Sequence, residues 1–200
     1  MSVLAPAEPE AHGLQALLEI QASRSAARID AEGHPVLLMD QDRSRWDRLL
    51  IRRGLAALAQ AQALGEGRAR APYALQAALA VCHARAERAE DTDWNAICTL
   101  YDALLAVQAS PVVELNRAVA ISRAQGPAAA LPLVQALLLQ PQLAQYHLLP
   151  SVAADLLSRL GRPDEACAMW LRAADLTRNA RERELLLARV HNNPTGGNEP

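Results

Sequence analysis

The chain is 200 residues long and 51% apolar, and the apolar set is mostly Ala and Leu, with no Phe and only 3% aromatic residues. Twenty basic against 22 acidic side chains leave a formal charge of −2, which argues against a domain that grips duplex DNA by its backbone. Three scattered cysteines (Cys82, Cys98 and Cys167) without a CxxC pair point to a reducing compartment, and apolar runs are broken well before the 18 residues of a membrane span.

Small, unbranched side chains lose little rotamer freedom on a helix and let helices approach closely, so the composition predicts an all-α fold of many short helices. Met1 to Glu10 lack a basic start followed by an apolar run and do not read as a signal peptide, so the expected location is cytoplasmic. A first helix is expected from Pro9 to Gln21, with Leu14, Leu17, Leu18 and Gln21 at three-four spacing. Pro35 to Met39 has strand-like content but no second strand to pair with, and reads as structured loop. A long helix to Leu64 is expected to open at Asp42 or Ser44, where Ser44-Arg45-Trp46-Asp47 has capping-box spacing, and to stop at Gly65-Glu66-Gly67.

Pro72 opens the third helix and Asp91-Thr92-Asp93 caps the fourth, Trp94 to Val107. Pro111 and Pro127 open the fifth and sixth. The seventh, Tyr146 to Leu160, accommodates Pro150 in its first turn or starts one turn late. The eighth follows Arg162-Pro163-Asp164-Glu165, and the ninth runs from Asn179 or Ala180 to His191. Asn192 to Pro200 carry no large apolar residue and are expected to be disordered.

Gly126 and Gly161 stand 35 residues apart, and each closes one helix just ahead of a Pro that opens another. After Gly161 come Ala166, Trp170 and Ala173, with Ala154 before it, an arrangement that matches the tetratricopeptide pattern of small residues at helix crossings and an aromatic filling the gap to the next repeat. A weaker copy runs from Asp93-Trp94 to Ser110, with Ile97, Tyr101 and Leu104 at the positions of Ala166, Trp170 and Ala173, and the middle unit, with Leu131, Gln135 and Leu138 in register, lacks the aromatic. The expected architecture is an N-terminal helical portion over residues 1–91 packed on tetratricopeptide-like hairpins over 92–191, stacked as a right-handed solenoid, with a tail at 192–200.

No catalytic, metal or cofactor constellation is legible. There is no glycine-rich phosphate loop, the five histidines are isolated, and the carboxylates near Glu87 to Asp93 read as caps and turn solvation. Polar residues on the first helix of each hairpin, Asn116, Arg117, Arg123, Asp155 and Arg159, are candidates for a partner-binding strip, with solvated arginines as the alternative. The run from Asp40 to Asp47 alternates in sign. Local salt bridges and a cap account for it, and docking through Arg43, Arg45 and Trp46 is the second reading.

Three separated segments, Asp40 to Asp47, Pro72 to Ala80 continuing through Glu90-Asp91-Thr92-Asp93-Trp94, and Ser110 to Ala120, together resemble the C-terminal region of extracytoplasmic-function-type bacterial RNA polymerase sigma factors. Tyr146-His147-Leu148-Leu149 and Leu160-Gly161-Arg162 extend the likeness. Members of that family carry two helical modules that bind core polymerase and read the promoter elements, followed by a tetratricopeptide-like extension. The resemblance implies that this chain corresponds to the extension alone, a fragment or the product of a split or truncated gene. Its role would be regulatory or protein-interacting, with the sigma modules or the polymerase core as partners and no direct nucleic-acid or membrane contact. A small-ligand sensor and a free-standing scaffold are the alternatives.

Overall fold

The computed structural model describes residues 5–65 and 72–191. The expected disordered tail at 192–200 and the Glu66-Gly67 part of the helix stop lie outside them. Among the described residues the chain is all-helical, with nine α-helices, several 3-10 turns and a single isolated β-bridge. It divides into two compact units, Met1–Ala109 and Ser110–Pro200.

The first unit holds α1 (Pro9–Ser23), α2 (Arg48–Leu64), α3 (Pro72–Arg85) and α4 (Trp94–Val107). Helix α1 packs against both α2 and α3, and its Ala16 and Ile20 meet Ile51, Leu58, Ala77 and Val81 in the core. The approach is close because glycines face the contacts. A Cβ on Gly13 would lie 2.6 Å from Ala74 N, and one on Gly54 would lie 2.7 Å from Ile20 Cγ1. The obstacle at Gly13 is backbone, which cannot swing aside, and at Gly54 it is the buried, β-branched Ile20 side chain, with Ala16 O at 3.2 Å behind it. The same contact caps α3, since Glu10 Oε2 on α1 accepts a hydrogen bond from Tyr73 N at 3.0 Å.

Between α1 and α2 the chain doubles back once. Ile29 bridges Pro35 in antiparallel sense, Val36 N donates to Arg28 O at 2.8 Å and Asp30 N donates to His34 O at 3.0 Å. The strand-like Pro35–Met39 segment thus finds a partner just upstream for one bridge, then enters a 3-10 turn at Leu38–Asp40. The start of α2 differs from expectation. Asp42 accepts from Ser44 N and closes a 3-10 turn at Arg43–Arg45, after which Asp47 accepts from Leu49 N and Leu50 N as the true N-cap. Two aspartates five residues apart supply successive caps, so the capping box at Ser44 is replaced and the helix begins only at Arg48.

The second unit holds α5 (Pro111–Ala124), α6 (Pro127–Leu138), α7 (Leu148–Arg159), α8 (Pro163–Leu176) and α9 (Ala180–His191). Pro111, Pro127 and Pro163 occupy first helical positions, where a missing N–H costs nothing, and Pro150 is tolerated in the first turn of α7 for the same reason. Each helix packs on the next in chain order, and α5 also touches α7. Gly126 and Gly161 adopt φ of 94° and 71°, a left-handed backbone that strains any other residue type, and so fix the two turns at which the pattern recurs.

Burial corrects the internal register. On α5 and α7 the buried residues correspond at a spacing of 35: Leu115 with Pro150, Ala118 with Ala153, Ile121 with Leu156, and Ser122 with Leu157. On α6 and α8 they correspond at 36: Ala130 with Ala166, Val134 with Trp170, and Leu137 with Ala173. Arg162, inserted between Gly161 and Pro163, accounts for the extra residue. The position equivalent to Trp170 is therefore Val134, fully buried, and not the exposed Gln135 that glycine-based alignment selects.

Candidate functional site

The run from Asp40 to Asp47 is the densest polar segment of the first unit, and two of its three candidate docking residues are internal. Arg43 is only 6% exposed and Trp46 only 3%. Arg43 Nη1 donates to His83 O at 2.6 Å and Ala86 O at 2.8 Å, and Nη2 donates to Thr92 Oγ1 at 3.3 Å. A helix leaves its last carbonyls without intrahelical donors, and Arg43 supplies them at the C-terminal end of α3. One guanidinium thus pins the loop before α2 to the turn before α4. Its carbon lies 5.2 Å from the Trp46 ring centroid, with Arg24 over the same ring at 5.8 Å. Arg45 is exposed and donates to Ala26 O.

His83 adjoins this latch, its ring edge-on to Trp94 at 5.4 Å between centroids. Burial, and then the charges of Arg43 and Arg24, push its pKa down to about 4 from an ordinary 6.5. The unfolded chain therefore binds the proton that the folded chain refuses. Stability attributable to His83 is fully present above pH 6.5 and is lost as pH falls towards 4, on the order of 3 kcal/mol in all. Urea unfolding at pH 7 and pH 4.5 is expected to show a steeper acid loss for the wild type than for His83→Phe, whose position has no proton to take up.

In the second unit the candidate strip is only partly assembled. Arg159 on α7 pairs with Asp155 at 3.4 Å and reaches back to α5, donating to Ser122 O at 3.1 Å and Ser122 Oγ at 3.4 Å. It is a bracket between the first helices of the two hairpins, satisfying a carbonyl near the end of α5. Asn116 and Arg123 are exposed on α5, two turns apart and hence on one face, and Arg117 is half-buried beside Asn116. A further polar junction joins α7 to the start of α9. His147 Nε2 lies 3.1 Å from Glu182 Oε1, and Thr177 Oγ1 donates to the other carboxylate oxygen. The hydroxyl is turned to the carboxylate and away from the imidazole, so this is a clamp and not a nucleophile with its base.

Ala154, Ala166, Trp170 and Ala173 are buried in the second unit, and Arg189 of α9 covers the Trp170 ring at 4.8 Å. In α4 of the first unit Ile97 is buried, with Trp94 and Tyr101 half-buried; burial raises the Tyr101 pKa above its ordinary value.

One cluster of potential ligands lies in the loop between α1 and α2 without a familiar ligand spacing. Asp30, Glu32 and His34 offer atoms all within 4.8 Å of one another. Asp30 Oδ1 accepts from Glu32 N and from His34 N at 2.7 Å, and its other oxygen lies 3.3 Å from His34 Nδ1. The signal was the alternation Asp-x-Glu-x-His across Gly33, whose φ of 84° lets the loop close. The Asx turn and the local ion pair account for the arrangement, and the group is largely exposed. The three cysteines are half-buried and none forms a disulfide among the described residues, and burial raises the Cys82 thiol pKa, the opposite of activation. No helix among the described residues is long and apolar enough to cross a membrane.

Residues 1–62 match the model of a family of unknown function, DUF6596. The chain is also 49% identical over 179 residues to the uncharacterized protein R00370 of Rhizobium meliloti (strain 1021), an alignment that takes in 90% of this chain and 41% of the relative. The chain thus spans about two fifths of the length of that relative. No solved structure matches.

Proposed function

We propose that this chain is the C-terminal regulatory and protein-interaction extension of a sigma factor of the extracytoplasmic-function type, with tetratricopeptide-like hairpins stacked as a right-handed solenoid in its second unit. The observation that carries the reading is the combination of recurrent helix pairs with the match to part of a much longer relative. Helices α5 to α8 repeat the same burial pattern at 35 and 36 residues, the economy of a stacked array in which each hairpin covers its neighbour. A chain that aligns over 90% of its own length with 41% of another protein behaves as a module of something larger. The resemblance of Asp40–Asp47, Pro72–Ala80 and Ser110–Ala120 supports reading the rest of such a protein as helical modules that bind core polymerase and read promoters.

The paired side chains favour interaction over chemistry. Arg43 and Arg159 bind backbone carbonyls, and the Thr177–Glu182–His147 group is wired as a clamp. The test is promoter-directed transcription with core polymerase and the portion of R00370 outside the matched span, with and without this chain added in trans. The expected result is a several-fold change in transcript. An unchanged yield at saturating chain contradicts a regulatory role.

A further inference from the structure

The end of α1 gathers positive charge that the described residues leave uncompensated. Arg24 and Arg28 both donate to the side-chain oxygen of Gln21, Arg28 Nη2 at 3.0 Å, and Arg28 also reaches Gln21 O at 3.2 Å. That side-chain acceptor is a neutral amide. Among the described residues neither guanidinium forms an ion pair with a carboxylate. The C-terminal carbonyls of α1 offer about half an elementary charge, against two full charges. Arg43 stands nearby on the shared Trp46 ring, and burial together with the Arg28 and Arg43 charges holds Arg24 below the usual arginine range.

Donors converging on one neutral oxygen call for an anion. A polyanion is disfavoured by the chain's overall charge of −2 and by the aspartates at 30, 40 and 42 in the adjoining loop. A single carboxylate suits a fork made by two guanidiniums. An apolar neighbour is at hand as well: Leu18, one turn before Gln21 and on the same face of α1, is 58% exposed.

We propose that Arg24 and Arg28, held on Gln21, receive a Glu or Asp side chain of a protein partner, with an adjacent apolar side chain of that partner seated on Leu18. The proposal rests on the protein-interaction part of the reading above but not on the identity of the partner, so its test contains neither sigma modules nor polymerase. The probe is an acetylated peptide of alternating Glu and Leu, titrated into the full chain and followed by 15N NMR at the Leu18, Arg24 and Arg28 amides and the arginine Nε–H groups. The expected result is saturable shifts at those three residues, weakened at least tenfold for the Gln–Leu peptide and for Arg24→Gln/Arg28→Gln. Arg28→Gln alone, at an exposed position, serves if the double variant does not fold. Equal binding of the Gln–Leu peptide, shifts that never saturate, or saturation by inorganic phosphate or acetate at the same concentration as the Glu–Leu peptide would each overturn it.

Discussion

Replacing Arg43 by Ala is expected to lower the stability of the first unit by about 3 kcal/mol, the scale of losing hydrogen bonds from a charged donor to buried acceptors. The substitution strands His83 O and Ala86 O at the end of α3, frees Thr92 Oγ1 and uncovers the Trp46 ring. Arg43→Lys should recover less than half of the loss. An ammonium is a single point on a flexible stem and lacks the planar fork that reaches two carbonyls and a hydroxyl beside the indole. Arg45→Ala, two residues away but exposed, should cost no more than about 1 kcal/mol. Urea unfolding followed by circular dichroism checks all three, and equal losses for Arg43→Ala and Arg45→Ala would contradict the latch.

Trp170→Ala should destabilise the second unit by about 3–5 kcal/mol, the usual cost of removing a buried aromatic and leaving a cavity. Trp170 is 4% exposed on α8, and Arg189 of α9 lies over its ring, so the substitution loosens two helices together. Hydrogen exchange is expected to show α8 and α9 losing protection before α5. Val134→Ala at the equivalent position of α6 removes far less volume and should cost less. If Val134→Ala were neutral while Gln135→Ala destabilised, the register of 36 between α6 and α8 would be wrong.

The helices were legible because punctuation and composition agreed. Pro at first helical positions, Asp93 as an N-cap and glycines at 126 and 161 each fix a boundary by local chemistry that tertiary packing has no reason to override. The start of α2 was less legible because Asp42, Ser44 and Asp47 all have cap chemistry, and the ties that hold this segment, Arg43 to the end of α3 and Asp47 N to Ser23 O, are to residues distant in sequence. Arg43 and Trp46 looked like surface residues for a related reason. A charged run reads as solvated unless its acceptors are visible, and those of Arg43 lie 40 residues or more downstream, at the end of α3 and the turn after it. The Asp30–Glu32–His34 group was hidden by the opposite effect: its spacing is short, but the left-handed Gly33 that closes it leaves no periodic mark. Arg162 shows how a single inserted residue defeats alignment on glycines alone, since it leaves the first helices in register at 35 and moves the second helices to 36.

The most direct test is calorimetric titration of this chain with the separately produced portion of R00370 that lies outside the matched span. If the chain is the extension proposed above, it must touch the remainder of such a protein or the polymerase core, and the 49% identical relative, of which the chain matches 41%, offers that remainder for test. Saturable binding at micromolar concentrations, weakened by Arg24→Gln/Arg28→Gln or by Asn116→Asp with Arg117→Glu, is the predicted result. No heat at high micromolar concentrations, together with no retention of the chain on core polymerase carrying those modules, would contradict the assignment to a sigma factor.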